Sequence, residues 1–255
     1  MKSYIVFLKK EYVESVRNFR FLVLGFVFLQ IAVMSPAAAR YLPEIIAEFM
    51  PADINIVITE PAPADAWLQF VKNFSQIGLI VLVIMYSQIL SSEYGKGTLL
   101  CLLAKGMPRK NIILAKLTAA CIFWTAAFWI CAAVCLGCTM LFWHSGAAPE
   151  GLAACLCGLW LFGLWLLAAV VLGGALFESA YGCLLFAGAA VLIQAAASLL
   201  PKAGQYLPLG LIADTSALLG RNPLPEAYWI RTGTAVAAAA VFIVCSVAAF
   251  EKRQF

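Results

Sequence analysis

The sequence predicts an all-α membrane protein with six transmembrane helices, an interfacial amphipathic helix before the first and a short cytoplasmic helix between the second and third. Three observations carry this. Apolar residues make up 64% of the 255 and charged residues 12%, with a mean hydropathy of +0.94, far from soluble composition. The apolar residues gather in runs near the ~20 residues a helix needs to cross a bilayer. The cations cluster beside those runs, mostly on one side. Six spans and their connections fill a single transmembrane domain over residues 1–255, leaving no room for an additional enzyme domain.

Residues 1–20 read as an amphipathic helix. Ile5, Leu8, Tyr12, Val16 and Phe19 share one face, and Lys2, Lys9, Lys10, Glu14, Arg17 and Arg20 lie opposite, with Val6 and Val13 as exceptions. Such a helix lies in the interface plane. No small-residue cleavage site follows a short apolar core, so the segment is expected to be retained. The first span is expected over about 21–39. Residues 40–73, carrying Glu44, Glu48, Asp53, Glu60 and Asp65, read as a long polar outer connection.

The second span is placed at about 74–90. The third is a run over 108–142, about 50 Å long at the rise of an α-helix, so its first turns are expected to project into the cytoplasm. A turn around His144 leads to the fourth span, 152–176, and a tight hinge to the fifth, 180–200. Residues 201–228 form a second outer segment whose apolar stretch, 207–219, is expected to re-enter the membrane edge. The sixth span covers 229–250. With both termini inside, twelve of the 17 lysines and arginines are cytoplasmic, which favours this orientation in the cell membrane.

Little in the spans suggests chemistry. Ionisable residues at mid-span depth would announce a proton or ion pathway, and none is placed there; Glu178 and Arg231 fall at boundaries. Gly95-Lys96-Gly97-Thr98 lacks the full spacing of a phosphate-binding loop, so no nucleotide cofactor is expected on this chain. Cys131, Cys135 and Cys138 repeat on one helix face near Cys155 and Cys157, but with a single histidine in the chain they read as small buried hydrophobes rather than metal ligands, and no disulfide is expected. No catalytic motif is present. The net charge of +4 belongs to lipid headgroups, not nucleic acid. The polar span residues Gln30, Gln76, Gln88, Gln194, Thr118, Thr125 and Ser198 are expected to bond between helices. Alternatively Gln30, Tyr86, Gln88, Phe123, Trp124, Phe128 and Trp129 line a central substrate path.

The most informative stretch is 91–116, the basic, glycine-punctuated segment between the second and third apolar runs. Thr98 can cap a helix over 99–104, Lys105 suits its negative end, Gly106 can leave it in a left-handed conformation, and Pro108 can open the next helix. A loop that only reversed the chain would not need a leucine-rich helix amid five cations.

Glu93, then Gly97-Thr98-Leu99, Leu102-Leu103, Arg109 and Lys116, is similar to the loop of the ABC-2 type permeases, the membrane subunits of ABC exporters. The likeness covers the whole chain in span number and is sharpest over 93–116. It implies that 99–104 is a coupling helix that docks on a separate ATP-binding cassette subunit, present in two copies and holding the ATP and Mg. Glu93, Gly97, Thr98 and Arg109 would then fix the loop, while Leu99, Leu102 and Leu103 make the contact with the ATPase. It also implies a second permease chain, identical or a sister. An aromatic path without fixed charge suits a hydrophobic or amphipathic cargo, a peptide toxin, bacteriocin or drug. The rival expectation is a non-transport scaffold or sensor whose basic loop binds another cytoplasmic partner.

Overall fold

The computed structural model describes residues 2–17, 19–49, 61–104, 106–143, 146–200, 203–220 and 224–253. Asp53, Glu60, Lys105, His144, Lys202 and Arg221 lie outside the described residues, as does the side chain of Leu102. Among the described residues there is no strand. The helices are α1 (Lys2–Arg17), α2 (Arg20–Phe49), α3 (Pro63–Asn73), α4 (Leu79–Lys96), α5 (Thr98–Ala104), α6 (Arg109–Phe142), α7 (Leu152–Leu176), α8 (Ala180–Ser198), α9 (Gly210–Ala213), α10 (Thr215–Leu218) and α11 (Glu226–Lys252). A five-residue π-turn, Phe74–Gly78, joins α3 to α4 without a break. Six helical stretches, built on α2, α3 with α4, α6, α7, α8 and α11, are long and apolar enough to cross a membrane.

Two boundaries differ from the sequence reading. The first apolar helix runs on to Phe49 through Pro36 and Pro43, and the second starts at Pro63 rather than Phe74. Proline is tolerated in such helices because neighbouring groups re-satisfy the freed backbone. The early start of α3 has a local cause: Pro63 opens the helix, and the Asp65 carboxylate accepts the Ala62 N–H at 2.9 Å. Much of the polar connection is therefore helix, and its buried Ala66, Trp67 and Phe70 are what hold it to the bundle.

Helix α7 is the axis. Of its most apolar stretch 78% is buried, against 17% for α8 and for α11. It is apolar all round, as a helix surrounded by others must be. Its glycines admit the neighbours: a methyl at Gly163 would overlap the Trp124 ring of α6, at Gly173 it would press on the Cys183 backbone of α8, and at Gly174 on Leu90 of α4. Every cysteine among the described residues is free, and the buried Cys131, Cys135, Cys155 and Cys183 fill space between helices.

Lys10 of α1 contacts Glu93 at the end of α4, and Arg253 at the other chain end contacts Tyr94. Both described chain ends therefore lie at one end of the bundle, called here the basic end. The first turns of α6 are packed against other helices: Ile112, Ile113 and Ala115 are fully buried, and Tyr4 of α1 donates to Thr118 at 2.8 Å. Helix α1 lies along them.

Candidate functional site

The face that α1 turns inward is not the one its amphipathic pattern suggested. Phe7 and Glu11 are buried, with Tyr4 and Leu8 packed beside them, whereas Ile5, Tyr12, Val16 and Phe19 are exposed. Helical spacing puts Phe7 and Glu11 one turn apart on the same side, so burying the phenyl ring also buries a carboxylate. That carboxylate must find a cation.

It finds Lys116. The Lys116 ammonium lies 3.0 and 2.9 Å from the two Glu11 carboxylate oxygens and 3.2 Å from Glu93 Oε1. All three side chains are less than a tenth exposed. Lys10 closes the ring from the surface, 2.8 Å from Glu93, 3.0 Å from Glu11 and 2.6 Å from Glu14. The Thr98 hydroxyl, first residue of α5, donates to the Glu93 carboxylate. Both ammonium groups also stand over the Phe7 ring, at 5.2 and 5.9 Å. Four helices, α1, α4, α5 and α6, thus meet at one network of charge-assisted bonds.

The three carboxylates come within 4.8 Å of one another, a spacing that could hold a hard cation. Here the two lysine ammonium groups lie among them and take that part. Burial alone would lower the Lys10 pKa, but its bonds to Glu14 and Glu93 outweigh this and hold it above the ordinary 10.5. For Glu14 burial pushes up, and the Lys10 bond and charge win, holding the carboxyl below 4.5.

The loop beside this network has the expected punctuation. Gly97 ends α4 at φ +64° with its N–H bonded to Tyr94, and Gly106 ends α5 at φ +76° with its N–H bonded to Leu103. Thr98 does something other than the capping read from its position: it is the first helical residue, and its hydroxyl is spent on Glu93. Leu99 is buried in the bundle's own core, and Leu103, partly buried, packs against that core. Ala104, Gly106, Pro108 and Lys110 are exposed instead.

Arg109 ties the loop to the chain's other end. Its guanidinium donates to the Glu251 carbonyl at 2.8 Å and also reaches the Phe250 and Arg253 carbonyls, which are orphan acceptors at the end of α11. Arg253 in turn donates to the Tyr94 hydroxyl and the Ala175 carbonyl, both at 2.9 Å, and to Glu178 at 3.2 Å. Sequence reasoning missed Glu11, Lys10 and Arg253 as members of this site. A signal existed: Glu11 lies one helical turn from the apolar Phe7 and Leu8, and Lys116 is a lone base in an apolar run.

Of the residues proposed for a substrate path, Trp124, Phe128 and Trp129 are in ring contact. Tyr86, Phe123, Trp124 and Phe128 are buried, while Gln30, Gln88 and Trp129 face outward. Trp124 packs among Phe28, Phe74 and Phe128 and donates to the Trp160 carbonyl at 3.1 Å, which is a core position. Of the polar span residues, Thr118, Thr125 and Gln194 do bond between elements, to Tyr4, Trp160 and the Leu209 N–H. Compared with known proteins, the chain matches no family model and no curated protein.

Proposed function

We propose that this chain is the permease subunit of an ATP-driven exporter, resembling the ABC-2 type, with α5 as the coupling helix and both termini in the cytoplasm. One observation carries the reading: a short helix, set off by left-handed glycines, is tied to three others. Leu99 anchors it in the core, and Thr98 bonds it to the network that joins α1, α4 and α6.

In this reading a separate ATP-binding subunit closes on ATP and pushes on the exposed Ala104 at the end of α5 and the exposed Lys110 in the first turn of α6. The buried Leu99 passes that push inward instead of meeting the partner. The ionic network holds its length, because buried pairs of this geometry cost several kcal/mol to break, so α4 and α6 move with α5. Exposed Ile5, Tyr12 and Val16 of α1, with Lys9 and Arg17 beyond them, suit the headgroup layer. A second permease chain would complete the assembly about a two-fold axis. The apolar character of the spans favours a hydrophobic or amphipathic cargo such as a peptide or drug.

Purification of the intact chain from its native membrane, with ATPase activity assayed on what accompanies it, tests this. The expected result is an ATP-binding subunit whose turnover is stimulated by the chain and is lost with Ala104→Glu, a change on the exposed side that leaves the core intact. Unchanged stimulation in that variant would overturn the coupling role of α5. A partner without ATPase activity would instead support the scaffold.

A further inference from the structure

Helix α1 sorts its charges. Its two acids are engaged by lysines, Glu11 buried on Lys116 and Glu14 at 2.6 Å from Lys10. Lys9 and Arg17 are exposed and have no ion pair or hydrogen bond among the described residues. Val6, Val13 and Val16, exposed as well, recur with them at helical spacing on one side. Val6, Lys9, Lys10, Val13, Glu14 and Arg17 line an open recess there.

The level of α1 along the bundle bears on what this side meets. It crosses α6 at Lys116 and Thr118, and from Thr118 to Phe142 there are 24 residues, about 36 Å of helix. That length is enough for the ~30 Å hydrocarbon core, so α1 lies where α6 enters it. The exposed side of α1 also runs on into the first span. After Val16 and Phe19 come Leu22, Val23 and Phe26, all exposed, on a helix long and apolar enough to cross a membrane. A groove on a soluble partner would end before that helix, whereas a bilayer surface continues along it.

Charge then selects the lipid. Aliphatic side chains beside cations suit the headgroup boundary, and cations held at that level attract anionic headgroups. With both acids of α1 bonded to lysines, little opposes that attraction. We propose that the outer side of α1 is a docking surface for anionic phospholipid in the leaflet at the basic end. Lys9 and Arg17 each hold a headgroup phosphate, and Val6, Val13 and Val16 lie among the first methylenes of the acyl chains. The two cations stand two turns apart, about 12 Å along the helix, so each takes its own headgroup and their contributions add. This goes beyond an interfacial seat for α1, because it selects lipid by charge, and it holds whatever α5 contacts.

Photo-crosslinking of the purified full-length chain in phosphatidylcholine nanodiscs is the test. The discs are doped with either a phosphatidylglycerol or a phosphatidylcholine that carries a diazirine near the head of one acyl chain. Adducts on residues 5–17 are expected to favour phosphatidylglycerol about 25-fold, about five-fold from each cation. Lys9→Gln and Arg17→Gln should each lower that preference about five-fold, and the double variant should abolish it. Lys252→Gln, which removes another exposed cation at the basic end, should leave it unchanged. Raising the salt from about 0.1 M to about 1 M should erase the preference in the wild-type chain, a readout that no variant's folding can confuse. Equal labelling by the two lipids overturns the surface, as does a Lys252→Gln chain that loses as much preference as Lys9→Gln. So does the absence of α1 adducts with either lipid, which would leave this side to an acidic protein.

Discussion

The two ends of the bundle are fastened by different chemistry. At the basic end, α1, α4 and α6 share a network around the buried Lys116, Glu11 and Glu93, which the Thr98 hydroxyl of α5 joins, and each of these three charges touches more than one partner. At the far end the ties are mostly single and neutral. Trp67 donates to the Ala147 carbonyl at 2.8 Å, Trp143 to the Pro61 carbonyl at 2.9 Å and Tyr228 to the Ala154 carbonyl at 3.0 Å. The ion pairs there, Arg231 with Asp214 and Arg40 with Glu44 within α2, are half exposed or more on the acid side. A shared buried network fails as a unit when one member goes, whereas separate bonds fail one at a time. The basic end is accordingly built to move as one piece, and the far end to adjust locally.

The sharpest way to break this contrast is Lys116→Met. It leaves Glu11 and Glu93 buried without their main cation, and unfolding in detergent should show a loss of about 3–5 kcal/mol. Adding Glu93→Gln should recover part of it, so that the two changes are strongly non-additive. Trp67→Phe at the far end removes the indole N–H and orphans the Ala147 carbonyl, costing about 1–3 kcal/mol, with a further packing loss from the smaller ring. Combined with Tyr228→Phe the losses should simply add. Additive losses at the basic end, or strong coupling at the far end, would erase the distinction.

Acid should separate the ends further. The Glu14 carboxyl is held below 4.5 in the folded chain, so the stability it lends is complete above that value and is lost as pH falls through the folded one. Lys10, held above 10.5, contributes fully below that value and is lost only as pH rises through its folded one. Amide exchange of residues 2–17, corrected for intrinsic rate, should stay flat from pH 5 to pH 9 and accelerate below about 4.5. Exchange around Trp67 should show no such step. The smallest effect is expected from Asp214→Asn. An exposed pair of this kind contributes about 0–1 kcal/mol, and the difference should shrink further in high salt.

Much of the basic end was legible because its signals are local. Gly97, Gly106 and Pro108 mark where helices end and begin through backbone conformation alone, and the structure puts α5 between them. The pairing of Glu11 with Lys116 was not legible, because 105 residues separate them and nothing in either neighbourhood names the other. The same holds for the buried face of α1. Its pattern offers an apolar side, yet Ile5 and Tyr12 are exposed and Phe7 is buried, since the side that buries Phe7 also brings Glu11 to Lys116, a partner far along the chain.

By itself the sequence determined an all-helical chain with six helices long enough to cross a membrane, because length and apolar composition are properties of each segment alone. It also determined where the loop around α5 turns. Only the tertiary structure decided which helix is the axis, which aromatic residues are core and which charges meet. Helices that are apolar all round carry no period to reveal their inward side, and the packing of Trp124 onto Gly163 or of Lys116 onto Glu11 exists only once the helices are side by side.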